Sequence, residues 1–278
     1  MSKSFVVATD MSPRSDRAIR RAIWLAEHHD ARLIVCHVVD DAAPPEIAAS
    51  AHDAAVTLLN QFTKSLSDKV DITIHAQYGD PTADILALVA QNDPTLLILG
   101  THRPRPFLDA VRETTAQRLV RLTACPVLMV SDRVDHAYDH VLAATDFSPA
   151  STAAITLALH LAPKAQITPV HAFHVPYSGL MTYGGQDMDE MTASFRLEAT
   201  EDEARWRDEI ALPDACGPTV IAPGSVSQVL AAQLAATGAS LITAGAHGRV
   251  GQGRALLGSV AADLLRQPPC DVLIARPA

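Results

Sequence analysis

Three glycines and a serine in the second half of this 278-residue sequence are spaced for holding an anion. Gly245 and Gly248 are separated by two residues, and Gly258 and Ser259 follow after nine more, giving G-x-x-G-x9-G-S. An apolar strand-like run ends at Gly245, and a helical pattern follows Ser259, starting at Val260. Each position has an expected use. Gly245, at the end of the run that holds Ala244, lets a ligand lie against the strand because no Cβ intervenes. Gly248 turns the backbone through positive φ and aims N–H groups inward. Gly258 and Ser259 open a helix whose free N–H groups and dipole favour negative charge. Ser259 adds a hydroxyl donor, while Arg249 and Arg254 offset remaining phosphate charge. Asp146 is the second chemical group. Its carboxylate either accepts N–H bonds in the turn before a helix or contacts a ligand or a phosphate-bound Mg²⁺. For its counterpart Asp10 the turn role is preferred.

The elements that must position these groups occur twice. FVVATDMSP at 5–13 returns as VLAATDFSP at 141–149, and LIVCHV at 33–38 as ITPVHA at 167–172. LLILGTH at 96–102 returns as LITAGAH at 241–247, and CPVLMV at 125–130 as CDVLIA at 270–275. Four blocks in one order define two homologous domains, 1–135 and 136–278. Each alternates short β-rich runs with helical patterns, which implies right-handed crossovers and a doubly wound α/β fold. Ser12-Pro13 and Ser148-Pro149 read as helix N-caps followed by proline at the first helical position. The first helix then buries Ala18, Ala22 and Leu25 with Ile19, Ile23 and Ala26. In a five-stranded parallel sheet of order 3-2-1-4-5, strands one and four flank the topological switch point, where ligands bind. Asp146 follows strand one and Gly245 ends strand four, so both features converge on one crevice. The copies differ at 176–185, which reads as a loop and conceivable lid, and at 187–209, which reads as a charged helix.

The glycine motif, the A-T-D-F-S stretch at 144–148 and the V-H-A segment at 170–172 together resemble the universal stress protein family, over nearly the whole chain as a tandem pair. The resemblance implies an adenine nucleotide alpha hydrolase-like fold and a regulatory, ATP-binding module of stress adaptation. It places adenine against backbone around Ala172 and beside Ala144, and ribose near Thr145, Asp146 and Gly245. Phosphates would meet Gly248, Gly258, Ser259 and Val260, with His247 nearby. The first copy departs from the pattern. Gly100 is kept, but Arg103 and Glu113 replace the second and third glycines, Thr114 takes the serine place, and Pro104 and Pro106 remove N–H donors. Glu113 at a helix N-terminus would cap the dipole and repel phosphate, so ATP is expected in the second domain alone. The family also implies pairing of the two copies through their last strands as an intramolecular pseudo-dimer, with a homodimer of chains as a further expectation.

Composition bounds the alternatives. A 48% hydrophobic and 19% charged chain builds packed cores, and a formal net charge of -9 opposes binding to nucleic acid. No signal-peptide h-region or membrane span appears, so a cytoplasmic location is expected. Cys36, Cys125, Cys216 and Cys270 read as buried thiols, and His171 as a packed strand histidine, because His174 points to the opposite face. No phosphate-loop lysine, G-x-S-x-G elbow or H-x-G-H stretch is present. Binding without fast turnover is the expected behaviour. Two other classes stay open: a slow ATPase or nucleotidyl-transfer enzyme, and a carrier of a lipid-like small ligand.

Overall fold

A computed structural model of the chain describes residues 3–40, 45–101, 113–131, 136–176, 185–210, 212–213, 215–248 and 257–277. Its contacts divide into two compact units. The first comprises Met1–Ala137, Gly253–Leu257 and Ala262–Ile274, and the second Tyr138–Gln252, Gly258–Ala261 and Ala275–Ala278.

The first repeat runs β1 (Ser4–Thr9), α1 (Pro13–His29), β2 (Arg32–Asp40), α2 (Pro45–Leu66), β3 (Ile72–Gly79), α3 (Pro81–Asn92), β4 (Leu96–Gly100), α4 (Thr115–Leu122) and β5 (Val127–Val130). The strands pair in parallel in the order β3-β2-β1-β4-β5. The second repeat runs β6 (His140–Ala144), α5 (Pro149–Leu161), β7 (Gln166–Phe173), α6 (Gly185–Ile210), β8 (Val220–Pro223), α7 (Val226–Thr237), β9 (Leu241–Gly245), α8 (Ser259–Arg266) and β10 (Asp271–Ala275). Its first four strands take the same parallel order, β8-β7-β6-β9. Within the first unit β10 lies antiparallel to β5, with Leu273 opposite Leu128. The fold is the doubly wound α/β class expected from the alternating pattern.

Local chemistry explains the elements. Ser12 and Ser148 are N-caps that accept from the N–H of Ser15 and Ser151, each with proline opening the helix. The α1 stripe of Ala18, Ile19, Ala22, Ile23, Leu25 and Ala26 is at most 4% exposed. The central strands are apolar on both faces, so Val6, Val7, Leu97 and Ile98 are inaccessible, as are Val141, Leu142, Leu241 and Ile242. Helix α1 touches α2, and α3 touches α4. Right-handed crossovers set these pairs on opposite faces of the sheet, and the chain therefore reverses direction between β1 and β4. The charged segment expected to be helical is α6, anchored by Trp206, which is 3% exposed and donates from Nε1 to Thr152 Oγ1 at 2.9 Å. The loop and lid expected around 177–184 lie outside the described residues.

Candidate functional site

In the second unit a cavity of about 200 Å³ lies at the carboxyl ends of β6, β7 and β9, against the first turns of α7 and α8. Eleven of the twelve residues expected from sequence line it, Asp146, Ala172, Gly248 and Ser259 among them, while Arg249 and the neighbouring Arg254 lie outside the described residues. The sequence reading did not single out Ser151, Val170, Val226 or Ala261 as lining residues, nor His171, which it took as packing only. Val226 opens α7 behind the Ser225–Gln228 capping box. That S-x-x-Q signal marks the helix start, but not its position over the crevice.

The turn after β6 is held by its own side chains. The Ser148 N–H donates to Asp146 Oδ1 at 3.2 Å and the Phe147 N–H to Thr145 Oγ1 at 2.9 Å. The Thr145 hydroxyl also meets Ser151 Oγ at 3.1 Å. Phe147 takes the left-handed conformation at φ 63°, which is uncommon for a bulky side chain and needs support from its surroundings. That support is visible: its ring stacks on His171 at 4.5 Å and packs against Trp206 at 5.4 Å. His171 in turn bonds through Nδ1 to the Thr145 carbonyl at 2.9 Å. The histidine packs as expected, and Asp146 has the anticipated turn role. One carboxylate oxygen holds the turn, and the other faces the glycine loop.

The structure corrects the expected use of Gly248 and Gly258 and adds a contact at Gly245. Gly248 does not adopt positive φ. It is small because a Cβ there would lie 2.7 Å from Asp146 Oδ2. Gly245 lines the cavity and also sits close against a helix. A Cβ would meet the α5 backbone, 2.8 Å from both Ala150 C and Ser151 N. Gly100 repeats this contact, 2.9 Å from Ser15 Cα and 3.0 Å from Ser15 N, which explains why it persists where the other glycines do not. The Gly258 N–H is committed to the Ala246 carbonyl at 2.8 Å, so it is not a phosphate donor. The donors left are those of the first α8 turn, where Ser259 and Val260 have no intrahelical acceptor, and Gly258 ahead of them has no side chain to cap them.

His247 stands between the acidic and helical walls. Its Nδ1 is buried with no hydrogen-bond partner among the described residues. Burial holds its pKa below the ordinary imidazole value, Arg276 adds to this, and Asp146 opposes it. The net effect favours the neutral ring.

The first unit has a corresponding cavity of about 280 Å³, lined by Thr9, Asp10, Ser15, Cys36, Val38, Gly100 and Thr115 among others. The Asp10 turn role is present, with Oδ1 accepting the Ser12 N–H at 3.0 Å. Burial raises the Asp10 carboxyl, but hydrogen bonds from Ser12 and Ser15 outweigh it and leave its pKa below the usual value. Glu113 behaves differently from expectation. Its carboxylate pairs with Arg121 at 2.8 and 3.0 Å and approaches Arg118 at 3.9 Å. The helix is capped instead by Thr114, in a reciprocal box with Gln117. Residues 102–112, including Arg103, Pro104, Pro106 and Arg112, lie outside the described residues.

The cysteines are free thiols, three of them buried, and burial pushes Cys36 and Cys125 up to about 12. Among the described residues no cluster of three potential metal ligands forms, and no helix is long and apolar enough to cross a membrane.

The model of the universal stress protein family matches residues 1–131 and again 137–276. A universal stress protein of Mycolicibacterium smegmatis is 25% identical over 98% of this chain and 96% of its own length. Among solved structures, a universal stress protein from Archaeoglobus fulgidus superposes with a TM-score of 0.71 at 16% identity, covering 100% of both chains. A functionally unknown protein from Pseudomonas aeruginosa gives 0.70 at 19% identity, covering 99% of this chain and 93% of that one. At these identities the structures establish the fold.

Proposed function

Because the chain belongs to the universal stress protein family, in tandem form, we propose that its second repeat binds ATP and that occupancy regulates the protein rather than fuelling chemistry. The observation that carries this reading is the convergence of two opposed walls on one crevice. A carboxylate, Asp146, lies on one side, and the uncapped start of α8 lies on the other. Gly248 is the only residue type that fits between them without displacing Asp146 Oδ2. The adenine lies against Ala172 and Val226, the ribose hydroxyls donate to Asp146, and the phosphates take the N–H groups of Ser259 and Val260 with the Ser259 hydroxyl. Mg²⁺ accompanies the phosphates. Among the described residues no lysine lines this crevice. The antiparallel β5–β10 pairing supports reading the chain as a built-in pair of its two repeats.

Calorimetric titration with MgATP is expected to give one site per chain, abolished in Gly258→Glu and weakened at least tenfold in Asp146→Ala. Single-turnover phosphate release is expected to be slow in all three proteins. Rapid hydrolysis that Asp146→Ala removes while affinity persists would instead make the protein an ATPase.

A further inference from the structure

Each repeat ends in an edge strand, and each edge is covered at the same carbonyl. Among the described residues β3 pairs with β2 alone, and β8 with β7 alone. The Leu33 N–H donates to the Asp71 carbonyl. That bond sets the alternation along β3: Thr73, His75 and Gln77 turn their backbone groups to β2, while Ile72, Ile74, Ala76 and Tyr78 turn theirs outward. In β8 the Gly224 N–H donates to the Phe173 carbonyl, so Ile221 and Pro223 face outward. Ala76 is in register with His37, and Ile221 with His171, which makes the two positions equivalent. Both outward carbonyls meet a side chain from the covering helix. Arg196 Nη1 on α6 donates to the Ile221 carbonyl at 2.8 Å, and His52 Nε2 on α2 lies 3.2 Å from the Ala76 carbonyl. An open edge is a template for another strand, and charged side chains are a common way to blunt it.

The two covers differ in chemistry. A guanidinium stays charged at any ordinary pH, and an imidazole does not. His52 stands between two acceptors, with Nδ1 3.1 Å from Asp53 Oδ1 and Nε2 against the Ala76 carbonyl. Only the imidazolium donates to both. From β3 the half-exposed Tyr78 ring stacks on it at 5.2 Å. His75 lies on the opposite face of the strand and bonds through Nε2 to Gln77 at 2.9 Å. The hydrogen bond with Asp53 first, and that with the Ala76 carbonyl second, hold the His52 pKa above its ordinary value. Strand β8 is further blunted by Pro223, which has no N–H, whereas β3 runs eight residues without a proline.

We propose that the outer edge of β3 docks β3 of a second copy of this chain, and that His52 opens the edge when it loses its proton. The strand is self-complementary about His75. In an antiparallel pairing with His75 opposite His75, Ile74 meets Ala76 and Ile72 meets Tyr78. Every outward residue then faces an outward residue of the other copy, and Tyr78 against Ile72 is a favourable aromatic and β-branched pair. The same register brings Lys69 beside Asp80 of the other copy, which joins opposite charges between two chains of net charge -9. Strand β5 offers no rival edge, since β10 pairs with it inside the first unit. The Ile74 N–H of the incoming strand needs the Ala76 carbonyl that His52 holds, so cover and partner compete for one acceptor. Raising the pH takes a donor from the His52 ring and frees that carbonyl, and acid closes the edge again. Protonation of the facing His75 rings opposes docking in the same sense. None of this rests on the ATP reading.

Sedimentation equilibrium of the intact chain at about pH 8.5 and about pH 5.5, either side of the imidazole range, tests this. The wild-type chain is expected to form a two-copy species at the higher pH, with a dissociation constant about tenfold weaker or more at the lower. His52→Arg gives β3 the cover that β8 has, and should leave single copies at both. His52→Ala should dimerise more tightly than wild type at the lower pH. His75→Gln keeps a neutral side chain at the axis and should retain the wild-type response. Ala76→Pro removes an outward N–H without breaking a bond to β2. It should abolish the dimer while circular dichroism shows the fold intact. Single wild-type copies at both pH values would overturn the docking, and a dimer that persists in Ala76→Pro would put it on another surface. Equal wild-type dimerisation at both pH values, a pH response that survives His52→Arg, or one lost in His75→Gln would overturn the role of His52.

Discussion

At the scale of single residues, the site turns on where a Cβ does not fit. Gly100 and Gly245 make equivalent contacts between a strand end and the helix that follows the neighbouring strand in the sheet, α1 after β1 and α5 after β6. Gly100→Ala is therefore expected to destabilise the protein by about 1–3 kcal/mol, the usual cost of overpacking, when measured by urea unfolding without nucleotide. Unchanged stability would show that α1 shifts freely. Gly248 is different, because its Cβ would meet a side-chain oxygen rather than backbone, so its loss falls on the Asp146 carboxylate. This separation was partly legible in the sequence. Gly100 survives in the copy that lost the other two glycines, and that asymmetry marks it as architectural. Spacing alone gave no sign of the Gly245 contact with α5, because it does not show which helix crosses a strand end. It likewise assigned the Gly258 N–H to phosphate, although a neighbouring carbonyl takes it.

At the scale of elements, the helix starts were legible and their partners were not. Ser12-Pro13, Ser148-Pro149 and Ser259 each mark a boundary that the structure reproduces. Gln117 gave no such warning. It is 3% exposed, closes the α4 capping box through Oε1, and donates from Nε2 to the Ala262 carbonyl in α8 at 2.8 Å. One amide thus ties the capped helix to the first turns of the uncapped one. Gln117→Leu leaves a buried N–H and a carbonyl without this partner, and a loss of about 2 kcal/mol is expected in chemical denaturation. Gln117→Glu restores the acceptor for Thr114 but not the donor for Ala262. It is expected to recover only part of the loss, and full recovery would show that the α8 bond contributes nothing. The pairing is 145 residues long-range, which is why local pattern gave no hint of it.

At the scale of the whole molecule, the first compact unit is completed by residues from the far end of the chain. Arg21 on α1 and Asp271 on β10 are 1% and 0% exposed, with Nε and Oδ2 3.4 Å apart. Asp271 Oδ1 accepts the Ser131 N–H at 2.8 Å, and Arg21 Nη1 donates to the His136 carbonyl at 2.9 Å. Removing one member of a buried, hydrogen-bonded pair strands the other charge. Asp271→Ala is therefore expected to cost about 3–5 kcal/mol, and Arg21→Met with Asp271→Leu to recover most of it. Equal losses in the single and double variants would show that the hydrogen bonds to Ser131 and His136, not the charge pair, supply the stability. The repeat itself was plain in the sequence, block against block. The ion pair was not, because its members have no counterpart relation within either copy.

Helix α8 belongs to both compact units, its opening residues to one and the remainder, with β10, to the other. A gene split at the repeat junction would consequently not yield two working halves. The leading fragment would keep Arg21 without Asp271 and present β5 as a bare apolar edge, an invitation to aggregation. The trailing fragment would carry the glycine motif on a helix whose far half had lost its packing. Inheritance by duplication and independence in folding have come apart in this chain, and reassembly from co-expressed halves, rather than activity of either half alone, is what such a fission would produce.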